Sequence, residues 1–541
     1  MLRKLKLALL AATLFVPAAH AAPGDCGTVV LPVGAGDGPP ADITSFSPLY
    51  SNTAYNQQAS WLLYPNLLWI NRYSQIDWSR SLATDVTTTD NQTFTVTMRP
   101  WHWSDGVPVT AGDVAYTFSL VQKLGPLWPG YGGGGLPTLV KSLTVTDPMH
   151  FVIVTTHPVN PTWFIYNGIS NLAPLPEHAW KNYTLDQMFQ LQSTPSFYSV
   201  VDGPLKIQHL YAGLDAVFVP NPAWEGPKPH FTRLVFAFQQ GDGTVVQQVE
   251  SGGTDDAAVP IDLYNYVKNL PGVHVEVLPQ GIYQNVYNIN FNNPRDTFFH
   301  DVRVRQAMID SIDQNAITKG LQNGFGNPAY GAVPVSMKAM LTPDMRKGIY
   351  PVGYDPAKAR ALLEEAGWKP GPDGIRVKDG KRLSFTVLLS SGSGAQLELV
   401  EVEQAYMRRV GIEMKIRLMD FNQVLQIMGN HPHEWDATVT GLSVNNYPTG
   451  ESQFETGAGQ NFGGYSDPKM DALIQASITQ PGTQALYDYE TYLSAQQPVI
   501  FGPRGGRVIM VSNRLHGISN FINLQDMLAP DALYCTGGPR N

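Results

Sequence analysis

The sequence of 541 residues holds only two cysteines, Cys26 and Cys535. A structural zinc site or an iron–sulfur cluster that draws four thiolates from one chain is therefore excluded. Charge is scarce too: 15% of the residues are charged, 36 Lys and Arg stand against 45 Asp and Glu, and five like charges never follow one another. A net charge of -9 without a basic tract leaves nothing to hold a polyanion, so nucleic acid is not a partner. Beyond the first 21 residues there is no apolar run long enough to span a bilayer. Hydrophobic residues make up 43% of the chain, enough for a large buried core, and the length implies several domains. With 11 Trp, 24 Tyr, 50 Gly and 42 Pro the chain is loop-rich and carries ample aromatic surface for stacking on a ligand.

Residues 1–21 read as a secretory signal, with Arg3, Lys4 and Lys6 as the basic region, Leu7 to Val16 as the apolar region and Ala19-His20-Ala21 as the cleavage site. The apolar region covers only ~15 Å of a ~30 Å hydrocarbon core, too little for an anchor. Cleavage before Ala22 takes the net charge from -9 to about -12. Cys26 follows Pro23-Gly24-Asp25, which does not match the Leu-Ala-Gly pattern of a lipidation site, so a soluble periplasmic protein is expected. In that oxidising compartment Cys26 and Cys535 either remain two thiols or join the chain ends. The second option closes a loop of some 510 residues, worth on the order of 5 kcal/mol.

No fixed-period repeat is present, and strand and helix patterns alternate. Phe94, Val96 and Met98 alternate with threonines as a half-buried strand, and Phe151 to Val154 and Leu234 to Phe238 are further strands. Thr110 to Asp113 has capping-box spacing before Val114, Phe118 and Val121 on one helical face. Asp355-Pro356 opens a helix that Gly367 ends, and Asp301 opens another carrying Val304, Ala307, Met308 and Ile312. The class is mixed α/β in two large blocks, 22–285 and 286–500, with a tail.

Catalytic motifs fail one by one. His431-Pro432-His433-Glu434 lacks the second histidine of a zinc-protease helix, because position 437 is Ala, and reads as a solvated loop. Ser391-Gly392-Ser393-Gly394 lacks the first glycine of a nucleophile elbow. Gly130 to Gly135 follows Trp128-Pro129 rather than a strand, which makes it a flexible glycine loop and not a nucleotide cradle. Asp255-Asp256 and Glu364-Glu365 are neighbours in sequence, as on solvated faces. No catalytic residue, metal site or cofactor is expected.

Trp103-Ser104-Asp105-Gly106-Val107-Pro108-Val109-Thr110-Ala111-Gly112-Asp113-Val114 resembles the hallmark of family 5 of the bacterial extracellular solute-binding proteins, the peptide, dipeptide and nickel receptors of ABC importers. The resemblance continues through Leu175-Pro176-Glu177-His178, Gly203-Pro204-Leu205-Lys206, Asn221-Pro222-Ala223-Trp224, Asp301 to Ala307, Tyr354 to Trp368, Trp435-Asp436-Ala437 and Gly464 to Pro468. It implies the two-lobed α/β fold of periplasmic binding proteins, with two hinge crossings and an extra subdomain inserted in lobe I. Lobe I is expected over 22–285, its subdomain over about 70–190, lobe II over 286–500, and 501–541 as a return to lobe I. The crossings are expected near Val286 to Asn290 and Val499 to Val508. Both chain ends then fall in lobe I, in agreement with a Cys26–Cys535 bond.

The same resemblance implies a periplasmic receptor without chemistry of its own, a monomer that hands a peptide-like solute to an inner-membrane ABC permease. Where dipeptide receptors of the family set an Asp for the peptide ammonium, Asn445 stands here, and the loop that often supplies an Arg reads Ser390 to Gly394. The expected ligand residues are Asn445, Asn446 and Tyr447, with Ser391 and Ser393 beside them. Without the Asp, free and N-acetylated peptides are expected to bind alike. A neutral oligosaccharide is the rival ligand, and a secreted hydrolase the rival class.

Overall fold

A computed structural model describes residues 24–33, 43–51, 53–238, 244–278, 283–538 and 540. The signal-like segment 1–21 lies outside them. Phe94, Val96 and Met98 are buried along the strand Thr93–Met98. It is an inner strand of a four-stranded antiparallel sheet in the order Ala83–Thr87, Thr93–Met98, His150–Thr155, Val140–Asp147. The helix Ala111–Leu124 follows, with Val114, Phe118 and Val121 buried as their spacing requires.

The family marker is a clasp at the start of this helix. The Asp113 carboxylate accepts from the Thr110 N–H at 2.9 Å, the Thr110 hydroxyl at 3.1 Å, the Glu177 N–H at 3.2 Å and the Trp103 indole at 3.4 Å. Asp105 turns back through Gly106, whose φ is 88°, and meets His178 Nε2 at 2.9 Å. Two stretches, joined by contacts that span 64 and 73 residues of sequence, are thus locked by carboxylates.

The chain ends meet. The strand Thr28–Val33 runs parallel to Arg233–Phe238, which continues into Asp215–Pro220 and Leu205–Tyr211. A three-stranded antiparallel sheet joins Val273–Leu278, Arg507–Ser512 and Asp256–Val259. The short ladder Leu515–His516 with Tyr534–Cys535 brings Cys535 to Cys26, and the two are disulfide-bonded with Cα atoms 5.0 Å apart. Asp255 corrects its sequence reading as a solvated carboxylate. It is 1% exposed, accepts from Arg514 at 2.7 and 3.0 Å and from the Val30 N–H at 2.8 Å, and so ties the first strand to the last segment. A run of two acids in sequence says nothing about a cation 259 residues away. Burial, followed by the charge of Asp255, pushes the carboxyl of Asp256 up to about 7.

The second lobe is built on a five-stranded sheet ordered Glu413–Met419, Ser384–Ser390, Ala437–Ser443, Tyr283–Ile289, Val499–Phe501. The first three strands are parallel and the last two alternate in direction. The helix Val302–Ser311 buries Val304, Ala307 and Met308 in the core under this sheet, together with Leu363 of the helix Pro356–Glu365. Leu278 ends a strand of the three-stranded sheet and Tyr283 begins one of the five-stranded sheet, residues 279–282 lying outside the described ones; on the return, Phe501 ends a strand of the five-stranded sheet and Arg507 begins one of the three-stranded sheet. Most of the stretch Val286 to Asn290, near which the first crossing is expected, belongs to the strand Tyr283–Ile289. Val286, Tyr287 and Ile289 are buried inside a strand paired on both sides, and Asn290 donates to the Trp435 carbonyl at 2.7 Å.

Candidate functional site

Parallel strands end together, and the carboxyl ends of Ser384–Ser390, Glu413–Met419 and Ala437–Ser443 form one rim of the second lobe. Such rims are where open α/β sheets place ligands, since the chain leaves each strand there and exposes backbone and loop side chains. Residues 443–446, leaving the strand Ala437–Ser443, form one wall of a cavity of about 920 Å³. Further walls come from Gln57, Ser60 and Trp61 on the helix Ala54–Leu63, Thr117 and Val121 on Ala111–Leu124, and the loop 128–133. Tyr166, Asn167 and Asn171 complete that side, and residues 455–460 with Gln525 close the rest.

The glycine loop has a steric reason. Gly134 sits at φ 56°, and a Cβ on it would lie 2.2 Å from the Gly168 nitrogen. Only glycine lets this loop rest on the wide helical turn Phe164–Gly168 that carries Tyr166 and Asn167. Trp128, just before the glycines, and Tyr131 within them are thereby set on the cavity wall. The glycine loop, read from sequence as flexible only, is a site element.

Among the expected ligand residues, Asn445 and Asn446 line the cavity. The Asn445 side chain hydrogen-bonds to no described residue. The Asn446 amide donates to the Tyr166 carbonyl at 3.3 Å and accepts from Gln525 at 2.9 Å. Tyr447 lies behind the wall and is fully buried. Its N–H donates to Asn167 Oδ1 at 2.9 Å, its carbonyl accepts from Asn167 Nδ2 at 2.8 Å, and its hydroxyl accepts from Asn160 and donates to the Gly482 carbonyl. It fixes the segment that carries Asn445 and Asn446. Ser391 and Ser393 are on the same sheet rim but outside the cavity lining, and the Ser393 hydroxyl caps the helix Gly394–Arg409 by accepting from Gln396 N–H at 3.2 Å.

Sequence reasoning missed the aromatic wall, Trp61, Trp128, Tyr131 and Tyr166, and both carboxylates of the cavity among the described residues, Glu451 and Glu455. Glu451 accepts from the Trp163 indole at 3.3 Å and from the Thr449 hydroxyl. Burial raises its carboxyl above the ordinary range, against the pull of those hydrogen bonds. Glu455 accepts from Gln475 at 2.7 Å. No group of three or more His, Cys, Asp or Glu placed to hold a metal occurs among the described residues. His431 and His433 lie in an exposed loop.

The fold is thus two-lobed α/β, with a large cavity at the strand ends. The chain matches the model of the bacterial extracellular solute-binding proteins, family 5, over residues 78–464, and belongs to that family. The oligopeptide-binding protein AppA of Bacillus subtilis is 24% identical over 406 residues, 73% of this chain and 72% of AppA. An oligopeptide-binding protein OppA of Lactococcus lactis subsp. lactis is 25% identical over 457 residues, 75% of this chain and 72% of OppA. The solved structure of AppA with a nonapeptide shares the fold at a TM-score of 0.72 and 22% identity, covering 94% of this chain and all of that one. NikA of Brucella suis with Fe(III)-EDTA aligns at 0.77 and 20% identity, again over 94% of this chain and all of the other.

Proposed function

We propose that the protein is the periplasmic receptor of an ABC importer, exported by the segment 1–21, and that it captures a peptide-like solute in the cavity between its lobes for delivery to a permease. The observation that carries this reading is the 920 Å³ cavity, which spans strand ends of the second lobe and aromatic and amide groups of the first. That volume lies near the upper end of the roughly 300–1,000 Å³ of ordinary ligand sites, room for a solute of several residues rather than a single ion. Asn445, Asn446 and Gln525 offer amides for a peptide backbone, and Trp61 and Tyr166 offer faces for its side chains. Lobe I, expected over 22–285 with its subdomain near 70–190, is assigned the residues up to Leu278 and the return from Arg507, and lobe II, expected over 286–500, the strands from Tyr283 to Phe501.

A ligand that binds only the folded protein stabilises it by RT ln(1 + [L]/Kd), ~2.7 kcal/mol at a hundredfold excess over Kd. Thermal melts and solution scattering with random tri- to pentapeptide pools should show a raised melting temperature and a more compact particle. No shift with any pool would defeat the peptide reading. Release of cleaved products would move the protein to the hydrolases. Mass spectrometry of solute co-purified from the native host identifies the natural ligand directly.

A further inference from the structure

The cavity wall is one-signed. Among its described residues it carries two carboxylates, Glu451 and Glu455, and no Lys, Arg or His. Neither carboxylate is ion-paired with a described cation: Glu451 meets an indole N–H and a hydroxyl, Glu455 an amide. The lining also holds a polar group that is left over. Ser60, on the lobe I wall, is 2% exposed, and its hydroxyl has no hydrogen-bond partner among the described residues. Buried polar groups are ordinarily paired, so this hydroxyl is a spare donor just beneath the cavity surface.

From this inventory we propose, resting on the receptor reading above, that the solute carries a cationic group held by Glu451 and Glu455 and has no anionic group buried in the cavity. A carboxylate or phosphate brought into this wall meets two like charges and no counter-cation, whereas an ammonium or guanidinium supplies the missing partner. The aromatic wall acts in the same direction, because ring faces attract cations. The proposal replaces the expectation drawn from Asn445 that free and N-blocked peptides bind alike: the ammonium partner lost at Asn445 is provided from the loop after the strand.

Two charge-matched sets of probes test this by calorimetry. One comprises trialanine as its amide with a free amine, as its N-acetyl amide and as its N-acetyl free acid. The other pairs the trimer of glucosamine with the trimer of N-acetylglucosamine. In whichever scaffold binds, the cationic member should be at least about tenfold tighter than the neutral one, with the anionic peptide weakest. Glu451→Gln, which keeps the size and the hydrogen-bonding shape, should remove most of that preference, and Glu455→Gln part of it. Glu434→Gln, at a 71% exposed side chain, should leave it unchanged and so separates the local wall from the protein's overall negative charge. Equal affinity across charge states overturns the inference while the receptor reading stands. Failure of every probe to bind overturns both.

Discussion

Glu403 lies 1% exposed on the helix Gly394–Arg409 against the inner strand Tyr283–Ile289, where the Tyr287 hydroxyl donates to Oε2 and Oε1 has no partner among the described residues. Burial, only partly offset by that hydrogen bond, pushes its carboxyl from 4.5 up to about 7. Between these values the folded protein retains a proton that the unfolded chain has released. The contribution is present in full below pH 4.5 and is lost as pH rises through 7, about 3 kcal/mol over the window. Asp296, raised to about 8 first by burial and then by Asp436, acts in the same sense. Urea melts from pH 4.5 to 7.5 should show stability falling with pH, and Glu403→Gln should flatten the fall; an unchanged slope would show that Glu403 is ionised in the fold. Such a residue cannot be read from sequence, because Val402-Glu403-Gln404 looks like any helical surface. Tyr447 is the reverse case: its place beside Asn445 and Asn446 is legible, but not that its polar groups are all engaged by Asn160, Asn167 and Gly482.

Short-range patterns specified the elements well. The strand Thr93–Met98 and the helices Ala111–Leu124, Val302–Ser311 and Pro356–Glu365 start where caps and alternation place them, because caps act within three or four residues. What the pattern could not give is the far partner of a cap. Asp113 serves Thr110 within its own turn but also Trp103 and Glu177, which makes it more than a helix start. Asp113→Ala leaves several buried donors without an acceptor and should lower stability by about 2 to 4 kcal/mol in denaturant melts. Asp105→Ala, in the same marker but with a 37% exposed side chain, should cost under about 1 kcal/mol despite its His178 partner. Equal effects would mean that the marker stabilises through the turn rather than through the clasp.

At the scale of the whole molecule the two-lobed class was legible from the order of many weak motifs, whereas the cavity was not. Its wall is assembled from stretches as distant as Pro48 and Gln525, and no local rule relates a glycine loop near 130 to a glutamate at 451. The chain ends were an intermediate case, since two cysteines can pair in only one way once the fold gathers both termini. Their bond closes a loop of 509 residues, and Arg514 reinforces it by donating to the carbonyls of Cys26 and Thr28 at 3.0 and 2.6 Å. In the loop-entropy picture the bond is worth about 5 kcal/mol or more. Non-reducing peptide maps of protein purified from its oxidising compartment should therefore contain one linked fragment holding Cys26 and Cys535. Replacing both by serine should lower the melting transition strongly yet leave a folded, ligand-binding protein, because the Asp255–Arg514 pair and the parallel strand Thr28–Val33 still hold the ends. Two alkylatable thiols in the native protein, or an unchanged transition in the double variant, would show that those contacts suffice to join the ends alone.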